Sequence, residues 1–144
     1  MQLPDVNVLI YAHRADVPEH ADYAGWLKDL VNADEPFALS ELVLFGFLRI
    51  VTNPRVFVDP TPLKTALAFI HGLRENPTCH LIRPGDRHWT IFVSLCEAVR
   101  ARGKLVSDAH HAAVAIEHGC EWLSADGDFA RFPGLRWRHP LVVA

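Results

Sequence analysis

Apolar residues recur along this chain at two spacings that take turns. Short runs bounded by proline or polar residues predict strands over 2–5 (QLPD), 36–40 (PFALS), 79–84 (CHLIRP), 120–126 (CEWLSAD) and 135–142 (LRWRHPLV). Between them the spacing becomes helical. A helical turn follows Asp5 and runs through Ala12. Tyr23, Trp26, Leu27, Leu30 and Val31 form one face of a helix over 20–34. Ser40 is placed to cap a mostly apolar helix over 41–53, which stops before Pro54. Pro62 starts another helix, over 62–75. A helix over 86–103 takes Asp86 as its cap and Gly103 as its stop, 104–108 is a short extended connection, and Asp108 opens a last helix that Gly119 ends. Residues 55–61 and the stretch around GDFARFPG read as loops.

Strands that alternate with helices from end to end predict an α/β fold with a mainly parallel sheet covered by helices on both faces. Ligands of such sheets bind beyond the carboxyl ends of the strands. Acidic residues gather at those ends. Asp5 closes the first strand, Glu41 follows Ser40 at the end of the second, Asp126 follows Ser124 after the fourth, and Asp108 opens a helix.

Each carboxylate has an ordinary explanation as well as a chemical one. Asp5 and Asp108 can cap helices and complement their dipoles. Glu41 is harder to place, because it leads directly into LVLFGFL. Several carboxylates at one sheet edge repel one another and have raised pKa values unless a cation joins them, and oxygen-only ligands suit Mg²⁺ or Mn²⁺. Separate caps and a shared metal site both remain open on the residues alone.

Bulk properties narrow the classes. The chain has 144 residues, half of them hydrophobic, which suits one domain with its own core. A formal charge of -3 excludes a generally basic nucleic-acid binder, so a polyanion would need a local basic patch. Cys79, Cys96 and Cys120 form no CxxC pair, and an odd number at wide spacing suits a reducing compartment. Asp5 interrupts the start and no basic segment precedes it, so no signal peptide is expected. The most apolar stretch contains Arg49 and is too short to span a bilayer. The expectation is a soluble cytoplasmic protein with no membrane partner.

Four blocks in order, DVNVLIYA, SELVLFGFLRIVTNP, SDAHHAAVAIEHG and LSADGDFARFPGL, closely resemble the PIN-domain toxins of the VapC family. The resemblance covers essentially the whole chain and implies a single PIN domain over 1–144, a three-layer α/β/α sandwich. It further implies a metal-dependent endoribonuclease that cuts structured RNA such as tRNA or rRNA. Carried over block by block, Asp5, Glu41, Asp108 and Asp126 are the catalytic and metal-ligating carboxylates for Mg²⁺ or Mn²⁺. Asp128 in ADGDF is an alternative for the last. Asn7, Ser40 and Ser124 match polar positions that orient the acids. A cognate VapB-type antitoxin and a homodimer are implied partners; YAGWLKDLV and the helix after Ser40 are the stretches expected to offer the antitoxin an apolar groove.

Candidate RNA contacts are Arg49, Arg55, Arg83, Arg87, Arg100, Arg102, Lys104, Arg131, Arg136 and Arg138, any single one of which reads first as solvated surface. Trp137 is expected in the core or an interface, although it could stack on a base. His110 and His111 point about 100° apart on a helix and so do not share an ion; they are expected at the surface or an interface. HExxH, GxGxxG and P-loop signatures are absent, and Asn7 stands where a haloacid-dehalogenase-type phosphatase needs its second aspartate. The rival to the nuclease is a catalytically silent PIN-like module that binds RNA or protein; the intact acidic positions favour the enzyme.

Overall fold

Leu3 is fully buried, and the strand that carries it, β1 (Gln2–Pro4), forms the middle of a five-stranded sheet. The computed structural model describes residues 1–142. β2 (Phe37–Ser40) and β3 (Cys79–Ile82) lie on one side of β1, and β4 (Glu121–Leu123) and β5 (Trp137–Arg138) on the other. The order is β3-β2-β1-β4-β5, and every pairing is parallel.

The six helices are α1 (Val6–His13), α2 (His20–Asn32), α3 (Glu41–Val51), α4 (Leu63–Arg74), α5 (His88–Val99) and α6 (Lys104–Glu117). The chain steps from β1 through β2 to β3 in one direction, then returns past β1 to form β4. Right-handed crossovers therefore put α1–α4 on one face and α5–α6 on the other. The packing follows: α1 lies on α2 and α3, α3 on α4, and α5 on α6. The fold is the expected α/β/α sandwich.

Phe37, Leu39, Val43, Phe47 and Trp122 fill the core with no exposed surface. Ala109, Ala112, Ala113 and Ala115 are the buried small residues that let α6 lie close to the sheet. The three cysteines are free thiols. Among the described residues no helix is long and apolar enough to cross a membrane.

The chain departs from the sequence expectation between residues 86 and 108. Asp86 does not cap α5. The Glu117 carboxylate, reaching over from the end of α6, accepts from the Gly85 and Arg87 amides at 2.7 and 2.9 Å. α5 ends at Val99, where Arg100 takes left-handed angles (φ 51°). Gly103 does not stop that helix but precedes the next, at φ 59° and ψ -129°. Residues 104–108 are thus the start of α6 rather than an extended connection, and Asp108 lies inside the helix rather than opening it. The last strand is only Trp137–Arg138, shorter than expected, at the edge of the sheet beside β4; Pro140 has no amide hydrogen to extend it.

Candidate metal centre at the strand switch point

In the order 3-2-1-4-5, the direction of chain progress reverses between β1 and β4, and the crevice at such a reversal is where open parallel sheets bind ligands. Asp5 leaves the end of β1 and Ser124 the end of β4. Pro4 has no N–H to give, and the Asp5 amide donates to the Leu123 carbonyl at 2.8 Å, which fixes Asp5 against β4.

Asp5 caps α1 as well. Its Oδ1 accepts from the Val6 amide at 2.6 Å, and its Oδ2 accepts from the Ser124 hydroxyl at 2.7 Å. Ser124 Oγ also accepts from Asn7 Nδ2 at 3.3 Å and from the Asp126 amide at 3.0 Å, so its one donor and two acceptor sites are all used. Asn7 Oδ1 in turn accepts from the Ala125 amide at 3.3 Å. Asn7 and Ser124 therefore hold Asp5 and the start of the Asp126 loop as one network. Burial pushes the Asp5 carboxyl up to about 6 against these hydrogen bonds, and the charges of Asp108 and Asp126 raise it further.

Asp108 reaches the same crevice from the second turn of α6. Burial raises its pKa, and Lys104 opposes the rise. Asp126 is held below the usual carboxylate range by its hydrogen bond from Lys104. One ammonium joins the pair: Lys104 Nζ donates to Asp126 Oδ2 at 2.6 Å and to Asp108 Oδ2 at 3.1 Å. Asp126 also caps the 3-10 turn Gly127–Arg131, accepting from the Asp128 amide at 2.9 Å, while Asp128, within that turn, has an exposed side chain whose charge raises the Asp108 carboxyl. The structure thus gathers Asp5, Asp108 and Asp126, with Asn7 and Ser124 behind them.

Glu41 lies apart from this group. The β2–β3 register pairs Ser40 with Ile82, so the next side chains, Glu41 and Arg83, emerge side by side. Arg83 Nε and Nη2 donate to the two Glu41 oxygens at 2.9 and 3.0 Å. The Glu41 side chain is 47% exposed, so it reaches solvent although it leads directly into LVLFGFL. Ser40 sits at the N-cap position of α3 but makes no side-chain cap bond, and its buried Oγ has no partner among the described residues.

The donors suit a hard divalent cation. They are all oxygens, three of them converge at one crevice, and a stand-in cation, the Lys104 ammonium, already joins two. Among the described residues no three acidic, histidine or cysteine side chains stand close enough to enclose an ion as they are. Lys104 occupies the space between the pair instead. Lys104 reads from the sequence as one basic residue among many. Its 104/108 spacing places it beside Asp108 only once α6 begins at Gly103.

Other expectations also meet the structure here. His111 is half-buried: it lines the groove beside α3 while its ring reaches into the core. Burial pushes its pKa down to about 4, its ring stacks on Trp122 at 5.5 Å, and its Nδ1 is buried without a partner. Trp137 donates from Nε1 to the Ser124 carbonyl at 3.1 Å, so its ring is tied to the site's support rather than open for stacking. Arg87, Arg136 and Arg138 bind Glu117, Gly119 and Glu121 within the fold. The α3 stretch does line a groove, with Leu42, Phe45, Gly46 and Arg49 facing Val106 and His110 across from α6. The α2 stretch does not join it. Trp26 and Leu30 line a separate hollow with Gln2 and Pro36, at the opposite end of the strands.

The model of the PIN domain matches residues 3–135 of this chain. VapC ribonuclease Mb2897 of Mycobacterium bovis is 54% identical over 137 residues, covering 95% of this chain and 93% of its own. Ribonuclease VapC25 of Mycobacterium tuberculosis is 42% identical over 142 residues, covering 99% and 100%. Among solved structures, VapBC2 from Rickettsia felis, bound to a DNA fragment from its promoter, superposes with a TM-score of 0.71 at 17% identity over 96% of this chain and 97% of that one. At that identity the last likeness concerns the fold.

Proposed function

The chain belongs to the PIN domain family, among the VapC toxins, and from that premise we propose that it is an endoribonuclease that uses Mg²⁺ or Mn²⁺ to hydrolyse phosphodiester bonds in structured RNA. The observation that carries the reading is the bridging of Asp108 and Asp126 by one ammonium at the strand switch point, beside Asp5, whose carboxyl their charges raise. The names of the curated relatives support ribonuclease activity.

Asp5, Asp108 and Asp126 would hold the ion. A divalent cation bound there makes water nucleophilic near neutral pH and offsets charge on the phosphate. Ser124 and the Val6 amide keep the Asp5 carboxylate in one orientation, which a ligand needs and a solvated side chain lacks. Glu41 is held only by an exposed ion pair, a contact worth about 0–1 kcal/mol, so it is free to leave Arg83 and accept a proton from the attacking water. Arg83, once released, lies beside the crevice as a contact for RNA phosphate.

The regulatory partner is an antitoxin protein that covers the groove between α3 and α6. The groove begins one residue from Glu41 and one from Asp108, and Phe45 within it is 66% exposed. A fold neighbour described as a toxin-antitoxin complex from Klebsiella pneumoniae, with a TM-score of 0.65 at 18% identity, supports such a partner.

The test is cleavage of total cellular RNA by antitoxin-free protein, with Mg²⁺, with Mn²⁺ and with EDTA. Discrete fragments are expected with either ion and none with EDTA. Asp108→Asn should cut at least about a hundredfold more slowly, beyond the loss typical of residues that only orient a ligand. Intact RNA in every lane, from folded protein, would instead support a silent binding module.

A further inference from the structure

Lys104 is in the wrong place for its helix. A cation in the first turn opposes the macrodipole, which favours acids there and bases at the other end. The helix therefore gives no reason for an ammonium at this position. Its contacts do. Nζ lies 2.6 Å from Asp126 Oδ2 and 3.1 Å from Asp108 Oδ2, and these acids come from different elements. Without a cation between them, the two carboxylates would face each other at the mouth of a buried crevice that already holds Asp5.

The two sides of this contact differ in mobility. The Asp108 side chain is 10% exposed and fixed on α6, whereas the Lys104 side chain is 68% exposed. Its stem lies in solvent, so the ammonium can leave its partners without unpacking any core. The carboxylates stay while the cation can be exchanged.

We propose that Lys104 is a positioning residue that occupies the metal's place between Asp108 and Asp126 in the metal-free protein, and that a divalent cation binds by displacing its ammonium. The proposal rests on the reading of these carboxylates as metal ligands. Lys104 thereby keeps the ligands close before the ion arrives, and it lowers the affinity for the ion, because part of each binding event is spent on breaking two charged hydrogen bonds.

Mn²⁺ binding to EDTA-stripped, antitoxin-free protein, followed by the electron paramagnetic resonance of the free ion, tests this directly. Wild type is compared with Lys104→Met, Lys104→Gln and Asp108→Asn, with near-ultraviolet circular dichroism as the check on folding. Both Lys104 variants are expected to bind Mn²⁺ about tenfold more tightly than wild type, the equivalent of one charged contact removed from competition. Affinity that is unchanged or weaker in the folded Lys104 variants overturns the proposal. If wild type then still binds and Asp108→Asn does not, the metal reading survives alone. If neither wild type nor the Lys104 variants bind Mn²⁺, both fall.

Discussion

Asp5 and His111 titrate over nearly the same range with opposite effects on stability. Asp5 is raised to about 6, chiefly by burial. Between about pH 4 and 6 the folded protein keeps a proton that the unfolded chain has released, so stability falls as pH rises, by about 3 kcal/mol in all. His111 is lowered to about 4, also by burial. Between about pH 4 and 6.5 the unfolded chain holds a proton that the folded protein refuses, so stability rises with pH by about the same amount. Asp108 adds to the first trend, His13 and His110 to the second. The metal-free wild type should therefore show a shallow profile that conceals two steep ones. In EDTA, the melting temperature of Asp5→Asn should climb from pH 4.5 to 6.5, and that of His111→Phe, which keeps a ring against Trp122, should fall. Profiles parallel to wild type would show that neither group titrates in this range.

At the scale of elements, the site depends on where α6 begins. Gly103 at φ 59° and ψ -129° lets the chain turn sharply after α5 and start α6 at Lys104, so that Lys104 and Asp108 share a face. A Cβ at Gly103 would meet no atom within 4 Å, so the cost of adding one is conformational only. Gly103→Ala should lower stability by about 1–3 kcal/mol in urea unfolding, whereas a D-alanine there, which accepts positive φ, should not. This junction is also where the sequence was least legible. A glycine after an apolar helix reads as a stop, and Leu105 and Val106 with Ser107 read as extended, because tertiary contact rather than local preference makes that turn helical. The strands were legible because Leu3, Leu39 and Leu123 are buried within short apolar runs. The acids at their ends were legible for the same reason, since a strand's last residue names its place in a parallel sheet. The Arg83–Glu41 pair was not, because it follows from the β2–β3 register, which no local pattern records.

At the scale of the molecule, a chain with a formal charge of -3 must present positive charge locally to bind RNA. Four of the arginines expected at the surface, Arg83, Arg87, Arg136 and Arg138, are bonded within the fold. Arg49 and Arg102 are exposed, and they flank the groove that borders the site, Arg49 lining it and Arg102 preceding Gly103 in its wall. Replacing both with alanine should weaken RNA binding about tenfold at low salt and make it less dependent on salt, as expected when phosphate contacts are lost. Filter binding across a salt series measures both quantities, and an unchanged salt slope would place the RNA elsewhere.

The order of the strands has a consequence for the cell that makes this protein. Asp5 is translated more than a hundred residues before Asp108, on α6, and before Ser124 and Asp126, which follow β4. β1 has its place in the sheet early; the crevice beside it has no second wall until β4 docks there. A nascent chain therefore carries one of the acids without the site until β4 has been translated and has docked beside β1.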